Sequence, residues 1–302
     1  MAKNNKRKKP ETEKAEILAE ALPYMRRFAG QTFVVKFGGH AMGDESLTEL
    51  FAQDIVLLKH VGINPVVVHG GGPQISKMLD RLKIKSSFVE GLRVTDADTV
   101  EIVEMVLSGS INKQIAAAIN RAGGRAVGIS GKDGNLIEAR KVTRRHRDPQ
   151  SNIERVLDLG FVGEPAKVRT ELLSELAKSQ LIPVIAPIGS GKRGETYNIN
   201  ADTVAGALAG ALNASKLIML TDVAGVLDAD GDLIASLTPR QASGLLRRKA
   251  VTGGMIPKIE TCLDALKNGT AAAHVIDGRL PHVLLLEIFT AHGVGTMITL
   301  SK

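Results

Sequence analysis

The 302-residue sequence predicts an α/β protein: a three-layer sandwich with a central, mostly parallel sheet and helices on both faces. Two observations carry that expectation. Short β-branched apolar runs alternate with amphipathic helical stretches along most of the chain, the pattern of parallel strands joined by crossover helices. Two of those runs empty into glycine clusters, Phe37-Gly38-Gly39 and His69-Gly70-Gly71-Gly72, where backbone can turn tightly and lie close to a ligand. A chain of this length buries about three quarters of its unfolded surface, enough for one large domain or two fused lobes.

Residues 14–28 read as an amphipathic helix, with Ile17, Leu18, Leu22, Met25 and Phe28 near helical spacing and Arg26 and Arg27 in the last turn. Residues 32–37 are the first strand. A helix over 46–60 follows, with Leu47, Leu50, Phe51, Ile55 and Leu58 on one face and Gly62 behind it. Next come a strand over 65–68 and a helix over 74–82. Asp98 and Glu101 form a capping-type start for a long helical stretch, 99–121, interrupted near Gly109. A strand over 126–129 precedes residues 132–165, whose charge, glycine and proline read as hairpins or loops. The alternation resumes with helix 170–178, strand 182–186, helix 202–212, strand 216–220, helix 256–267, strand 272–276, helix 282–289 and strand 297–300. A seam near 185–195 divides an N-terminal lobe, 31–190, from a C-terminal lobe, 191–302. A basic tail, 1–13, and the helix within 14–30 precede both.

The composition, 44% hydrophobic and 24% charged, is that of a soluble globular chain. Five of the seven net positive charges are Lys3, Lys6, Arg7, Lys8 and Lys9. Such a tail either touches nucleic acid or anionic lipid, or is a solvated, disordered end. Aromatics make up 3%, there is no tryptophan, and none interleave with basic residues to stack bases, so no nucleic-acid partner is expected. No apolar run reaches 18 residues, so no membrane span is expected, and the basic N-terminus lacks the apolar segment of a secretory signal. The single cysteine, Cys262, sits in an amphipathic helix and cannot form an internal disulfide, which suits a reducing, cytoplasmic compartment.

Lys36 ends a buried strand just before Gly38 and Gly39, placing an ammonium group where a ligand can approach backbone. The strand ending at His69 runs through three glycines into a helix, and the free amides and positive helix end there form an anion site. A Walker loop is excluded. Around Gly191-Lys192 the first glycine is replaced by Ala186 and the hydroxyl residue by Arg193, and neither glycine cluster fits the dinucleotide pattern. Asn198, Asn200 and Asp202 project together if extended, although Asp202 equally suits the N-cap of the next helix. Thr221 and Asp222 end a strand, which turn chemistry also explains. Lys258 follows Gly253-Gly254-Met255 in a first helical turn and reads equally as a surface lysine.

In order, Lys36-Phe37-Gly38-Gly39, His69-Gly70-Gly71-Gly72, Gly91-Leu92-Arg93-Val94-Thr95, Asn198-Ile199-Asn200-Ala201-Asp202, Thr221-Asp222-Val223 and Gly253-Gly254-Met255 with Lys258 resemble the amino acid kinase family, from about residue 16 to 300. The Gly91-Leu92-Arg93-Val94-Thr95 motif and the Asn198-Ile199-Asn200-Ala201-Asp202 motif are most similar to the family's members acting on N-acetyl-L-glutamate in arginine biosynthesis. The resemblance implies ATP with Mg²⁺, the metal held by phosphate oxygens and water and by no protein side chain. It implies catalytic roles for Lys36, Lys258 and Asp202. Substrate contacts fall to Gly71, Gly72, Arg93 and Asn198, and nucleotide contacts to Gly38, Gly39, Thr221, Asp222, Gly253, Gly254 and Met255. A glutamate-like side chain, pKa ~4.3, is already an anion, so such a reaction needs positive charge rather than a general base.

Further resemblance concerns control. The helix with Tyr24, Arg26 and Arg27 is similar to the extension that interlaces dimers into a hexamer, a trimer of dimers, in arginine-inhibited members. The segment from His282 to Met297 is similar to their arginine site, implying that Glu287 takes the guanidinium beside His274 and the Gly293 backbone. The plainer alternative leaves Glu287 solvated and the helix packed on its own subunit. A PII-type signalling partner is implied by family analogy alone. Other readings are a same-fold enzyme such as glutamate 5-kinase, aspartokinase or uridylate kinase, or a non-catalytic sensor of arginine or nucleotide.

Overall fold

Strand β1 (Thr32–Phe37) is buried along its last five residues. Successive side chains of a strand point to opposite faces. Phe33, Val35 and Phe37 therefore enter one core, and Val34 enters the other, with Lys36 on Val34's side. The computed structural model describes residues 10–89, 91–147 and 154–300, so most of the basic tail lies outside the described residues.

Helix α1 (Pro10–Phe28) precedes β1, and α2 (Glu45–His60), β2 (Asn64–His69) and α3 (Gly72–Arg81) follow it. Then come β3 (Phe88–Val89), β4 (Leu92–Arg93), α4 (Ala97–Glu104), a π turn (Met105–Ile111), α5 (Asn112–Arg121) and β5 (Ala126–Ser130). A long hairpin, β6 (Ile137–Arg147) and β7 (Glu154–Val168), leads to α6 (Glu171–Lys178), β8 (Ile182–Ala186), β9 (Ile188–Ser190) and β10 (Thr196–Ile199). The remainder is α7 (Ala201–Ala211), β11 (Lys216–Thr221), β12 (Ser236–Leu237), α8 (Pro239–Arg247), α9 (Met255–Lys267), β13 (Ala272–Asp277), α10 (Val283–Phe289) and β14 (Thr296–Thr299).

The main sheet has eight strands in the order β12-β14-β13-β11-β1-β2-β8-β5. Neighbours are parallel except β13 and β14. One core joins Phe33, Val35 and Phe37 to Phe51 and Ile55 of α2, Ile119 of α5 and Leu284 of α10. The other joins Val34 to Val204 and Leu208 of α7 and Ile259 and Cys262 of α9. The expected sandwich is therefore present, helices covering both faces.

Residues 132–165 hold more order than loops: β6 and β7 pair antiparallel and close a small barrel with β9 and β10. The short strands β3, β4, β9, β10 and β12, and helix α8, add to the elements expected from the sequence. Three local expectations need correction. The helix after Arg93 is capped by Asp96, whose carboxylate accepts from Thr99 N at 2.8 Å, so it starts before Asp98. Asn200, not Asp202, caps α7, its Oδ1 accepting from Asp202 N at 2.8 Å and Thr203 N at 3.2 Å. His282 stands just outside α10 in a left-handed conformation, φ 52°.

The Phe37 and Phe51 rings stack at 4.0 Å with 6° between their planes, joining β1 to α2 inside the first core. Phe51→Ala should cost about 3–5 kcal/mol of stability, read by urea unfolding, because a large void opens under the central strand.

Candidate active site

Strands β1, β2, β11 and β13 end on one edge of the sheet. The chain leaves β1 toward β2 across one face through α2, and reaches β11 on β1's other side across the opposite face through α7. Ligands of open α/β sheets bind at the carboxyl ends of strands where winding reverses in this way. Lys36 sits at that point, facing α7.

Asp202, in the first turn of α7, takes Lys36 Nζ at 3.1 Å on Oδ1 and Lys258 Nζ at 2.7 Å on Oδ2. The Lys36 contact is an ion pair without hydrogen-bond alignment. Lys36 and Asp202 are each only 8% exposed. Burial pushes the Asp202 carboxyl up, but Lys36 and Lys258 outweigh it and hold the group at about 2. Capping by Asn200 leaves the Asp202 carboxylate free for this role. Gly38 is needed beside it, since a Cβ there would collide with the Lys36 ammonium group. Gly39, φ 72°, has the same relation to the Asp222 carboxylate.

Two cavities open here. One, about 250 Å³, is lined by Lys36, Gly71, Gly72, Arg93, Asn198 and Asp202 among others. The second, about 530 Å³, is lined by Lys36, Thr221, Asp222, Gly254, Met255 and Lys258 among others. Lys36 and Gly39 are walls of both. One ammonium thus faces a small, cation-lined chamber and a larger one.

The amino acid kinase family matches residues 31–277. The chain belongs to that family. An acetylglutamate kinase of Rhodospirillum rubrum is 63% identical over 289 residues, covering 96% of this chain and 93% of the relative. Among solved structures, N-acetylglutamate synthase from Neisseria gonorrhoeae, complexed with coenzyme A and N-acetyl-glutamate, superposes with a TM-score of 0.81 at 27% identity. The match covers 94% of this chain and 63% of that one. The same synthase complexed with coenzyme A and L-arginine gives 0.77 at 25% identity, over 95% and 65% of the two chains.

In this amino acid kinase, Arg93 is held by its neighbours: Nη2 donates to Ser76 Oγ at 2.8 Å and Gly72 O at 3.1 Å, Nη1 donates to Ser86, and the guanidinium lies 4.5 Å from the Phe88 ring centroid. Of the expected nucleotide residues, Gly38 and Gly253 line neither cavity. The remaining expected substrate, catalytic and nucleotide residues line one or both. His69 is fully buried behind the glycine loop. Burial pushes its imidazole down to about 4, so the ring is neutral near pH 7.

The expected effector residues gather away from both cavities. His274 Nδ1 lies 2.6 Å from Glu287 Oε1, and Lys216 Nζ lies 2.8 Å from His274 Nε2. Glu287 Oε2 accepts from Val294 N at 2.7 Å and Gly295 N at 3.0 Å. Glu287 is therefore buried and bonded, not solvated, with the Val294 and Gly295 amides as its backbone partners. Gly293, φ 62°, packs so closely that a Cβ would meet the Glu287 carboxylate. Lys216 was missed in the sequence. Burial lowers it to about 8, and its ammonium lies 5.2 Å from the ring of Phe28 on α1. Cys262 is buried, as expected of a packing residue.

Because the folded carboxyl of Asp202 lies below its ordinary 3.8, its contribution is complete above that value and disappears as pH falls toward about 2. Asp202→Asn should lose about 2 kcal/mol or more at pH 7, since it also leaves two ammonium groups unpaired. In urea unfolding the deficit should be equal at pH 7 and pH 5 and smaller at pH 3; a deficit that widens in acid would contradict the assignment.

Proposed function

We propose that the chain transfers the γ-phosphoryl group of ATP to the side-chain carboxylate of N-acetyl-L-glutamate, in arginine biosynthesis. The products are ADP and N-acetyl-L-glutamyl 5-phosphate. The observation that carries this reading is the wall shared by two cavities, with Lys36 facing both. High identity to acetylglutamate kinases along nearly the whole chain supports the choice of acid.

The acid occupies the smaller cavity, in the lobe spanning 31–190, and ATP the larger, in the lobe spanning 191–302. The acceptor carboxylate oxygen attacks the γ-phosphorus, the bond to the β,γ-bridging oxygen breaks, and that oxygen leaves on ADP. Both reactants are anions, so the obstacle is repulsion. Lys36 and Lys258 neutralise charge on the moving phosphoryl group and on the leaving phosphate. Asp202 holds the two ammonium groups in place. Gly71 and Gly72 amides bind the acceptor side of the acid. Arg93 clamps its α-carboxylate through a planar fork that lysine lacks, and Asn198 holds the same end. Among the described residues no group of three or more His, Cys, Asp or Glu side chains is placed to hold a metal. Mg²⁺ bound to the phosphate oxygens would neutralise further charge there.

The Lys216–His274–Glu287 chain supports a second assignment, inhibition by L-arginine, and the arginine complex of the related synthase favours the same ligand. Arginine must then displace or extend contacts that Glu287 already makes. Helix α1 exposes Ile17, Leu18 and Leu22, at 65%, 67% and 49%, and docks through Phe28. This apolar stripe suits the hexamer contact, with Tyr24, Arg26 and Arg27 on the same helix.

Hydroxylamine trapping tests the reaction. Acyl phosphate should form from ATP with N-acetyl-L-glutamate and not with L-glutamate; the reverse would point to glutamate 5-kinase, and none to a sensor. Lys36→Ala and Lys258→Ala should each lower kcat by about 10²–10³-fold. Millimolar L-arginine should slow the wild-type chain and leave Glu287→Ala much less affected. Equal rates with and without arginine from pH 6 to 9 would remove the regulatory assignment.

A further inference from the structure

His69 and Asn112 are fully buried polar residues with no task in the reaction above, and they stand directly behind the glycine loop. His69 Nδ1 lies 2.8 Å from Gly70 O. A carbonyl only accepts, so Nδ1 carries the proton and donates. His69 Nε2 is then an acceptor, 3.2 Å from Asn112 Nδ2. That amide nitrogen also lies 2.8 Å from Val184 O and 3.2 Å from Ile129 O, which ties it to β8 and β5.

Asn112 follows the π turn Met105–Ile111, a rare conformation that recurs at functional sites. The turn presses Leu107 and Ile111 against Gly71, where a Cβ would lie 2.6 Å from each side chain. Gly71 is thus confined from one side by the turn while Gly70 is bonded to the imidazole.

Peptide geometry gives the arrangement a consequence. In a trans peptide the C=O and the following N–H point in opposite directions, and among the described residues no peptide is cis. Turning Gly70 C=O onto His69 therefore turns Gly71 N–H away from the ring. Gly70, Gly71 and Gly72 all line the smaller cavity. Among the described residues, the Gly71 and Gly72 amides have no protein acceptor.

We propose that His69 and Asn112 are positioning residues that lock the Gly70–Gly71 peptide so that Gly71 N–H donates to an anionic oxygen of the reacting groups. This rests on the phosphoryl transfer proposed above and extends it to two residues that touch neither reactant. His69 orients the peptide, and Asn112 keeps the imidazole in the tautomer and rotation that this needs.

The test is steady-state kinetics of two substitutions, with ATP and N-acetyl-L-glutamate. His69→Phe keeps a ring and removes both nitrogens; His69→Asn returns a donor near the place of Nδ1. His69→Phe should lower kcat by about 10²-fold while the KM for ATP moves less than about threefold, and His69→Asn should recover most of the loss. Thermal midpoints of the two variants should be similar. Equal kcat losses in both variants, or an unchanged kcat in His69→Phe, overturn the proposal. If His69→Phe does not fold, Asn112→Ala decides, since it leaves the ring but frees it to turn. A folded Asn112→Ala with wild-type kcat overturns the proposal, and a kcat reduced by about tenfold or more supports it. A wild-type chain that forms no acyl phosphate defeats the reaction assignment instead, and this proposal with it; an active wild type with an unaffected His69→Phe defeats this proposal alone.

Discussion

The site depends on one carboxylate holding two ammonium groups that are far apart in sequence. Lys36 comes from the central strand, Lys258 from α9, and Asp202 from α7 lies between them. Buried cations without an anion are costly, and a buried anion alone equally so. The three side chains therefore stabilise one another's burial, and α7 and α9 are fixed against β1 by the same contacts. A strand shifted by one residue would send Lys36 into the opposite core. The parity of β1, set by Phe33, Val35 and Phe37 on one side and Val34 on the other, is thus a condition of the proposed chemistry as well as of packing.

The parallel sheet turns that triad into a place where two anions can meet. Strands that share direction bring their carboxyl ends to one edge, so the glycine loop after β2 and the Thr221-Asp222 turn after β11 flank Lys36 on either side. Small residues at 38 and 39 leave space for Lys36 and Asp222 where any Cβ would intrude. Positive charge is concentrated at the boundary of the cavities, where negative charge would accumulate in the proposed transfer. A preorganised cation there acts without reorganising at the moment of reaction.

Much of this was legible in the sequence because it rests on local periodicity. The bounds of β1 and β8 and the bodies of α2, α3 and α9 follow directly from alternation or helical spacing. The four shortest strands, β3, β4, β9 and β12, have two or three residues each and are too brief to show a period, and β10 is legible only as extended polar residues. Helix α8 is a different kind of omission. Thr238 and Gln241 supply a full capping box at its start with Pro239 between them, a signal that the sequence does carry. Asn200 and Asp202 both suit an N-cap, and no local rule separates them; the choice is made by Lys36 and Lys258, which need the carboxylate elsewhere. His69 and Lys216 were hidden for the same reason. Their identities are plain, but the partners that give them meaning, Asn112 and His274, are 43 and 58 positions away.

The same strand geometry limits how the proposed effector cluster around His274 and Glu287 could influence the reaction. Lys216 begins β11 and His274 lies near the start of β13, whereas Thr221, Asp222 and Asp277 lie at the other ends of these strands. The two strands pair in register from Lys216 with Ala272 to Thr221 with Asp277. A six-residue strand spans roughly 17–20 Å, too far for a ligand at one end to touch the other. Strands buried on both faces and hydrogen-bonded to neighbours do not bend easily over that length. Coupling between the ends therefore requires the layer to move as a unit, or requires α1, which meets Lys216 through Phe28, to carry the change across the proposed oligomer contact. Displacement of α1 is the less costly of the two, because Phe28 is its one buried apolar residue among those described, Ala21, Tyr24 and Met25 are only partly covered, and Ile17, Leu18 and Leu22 are exposed.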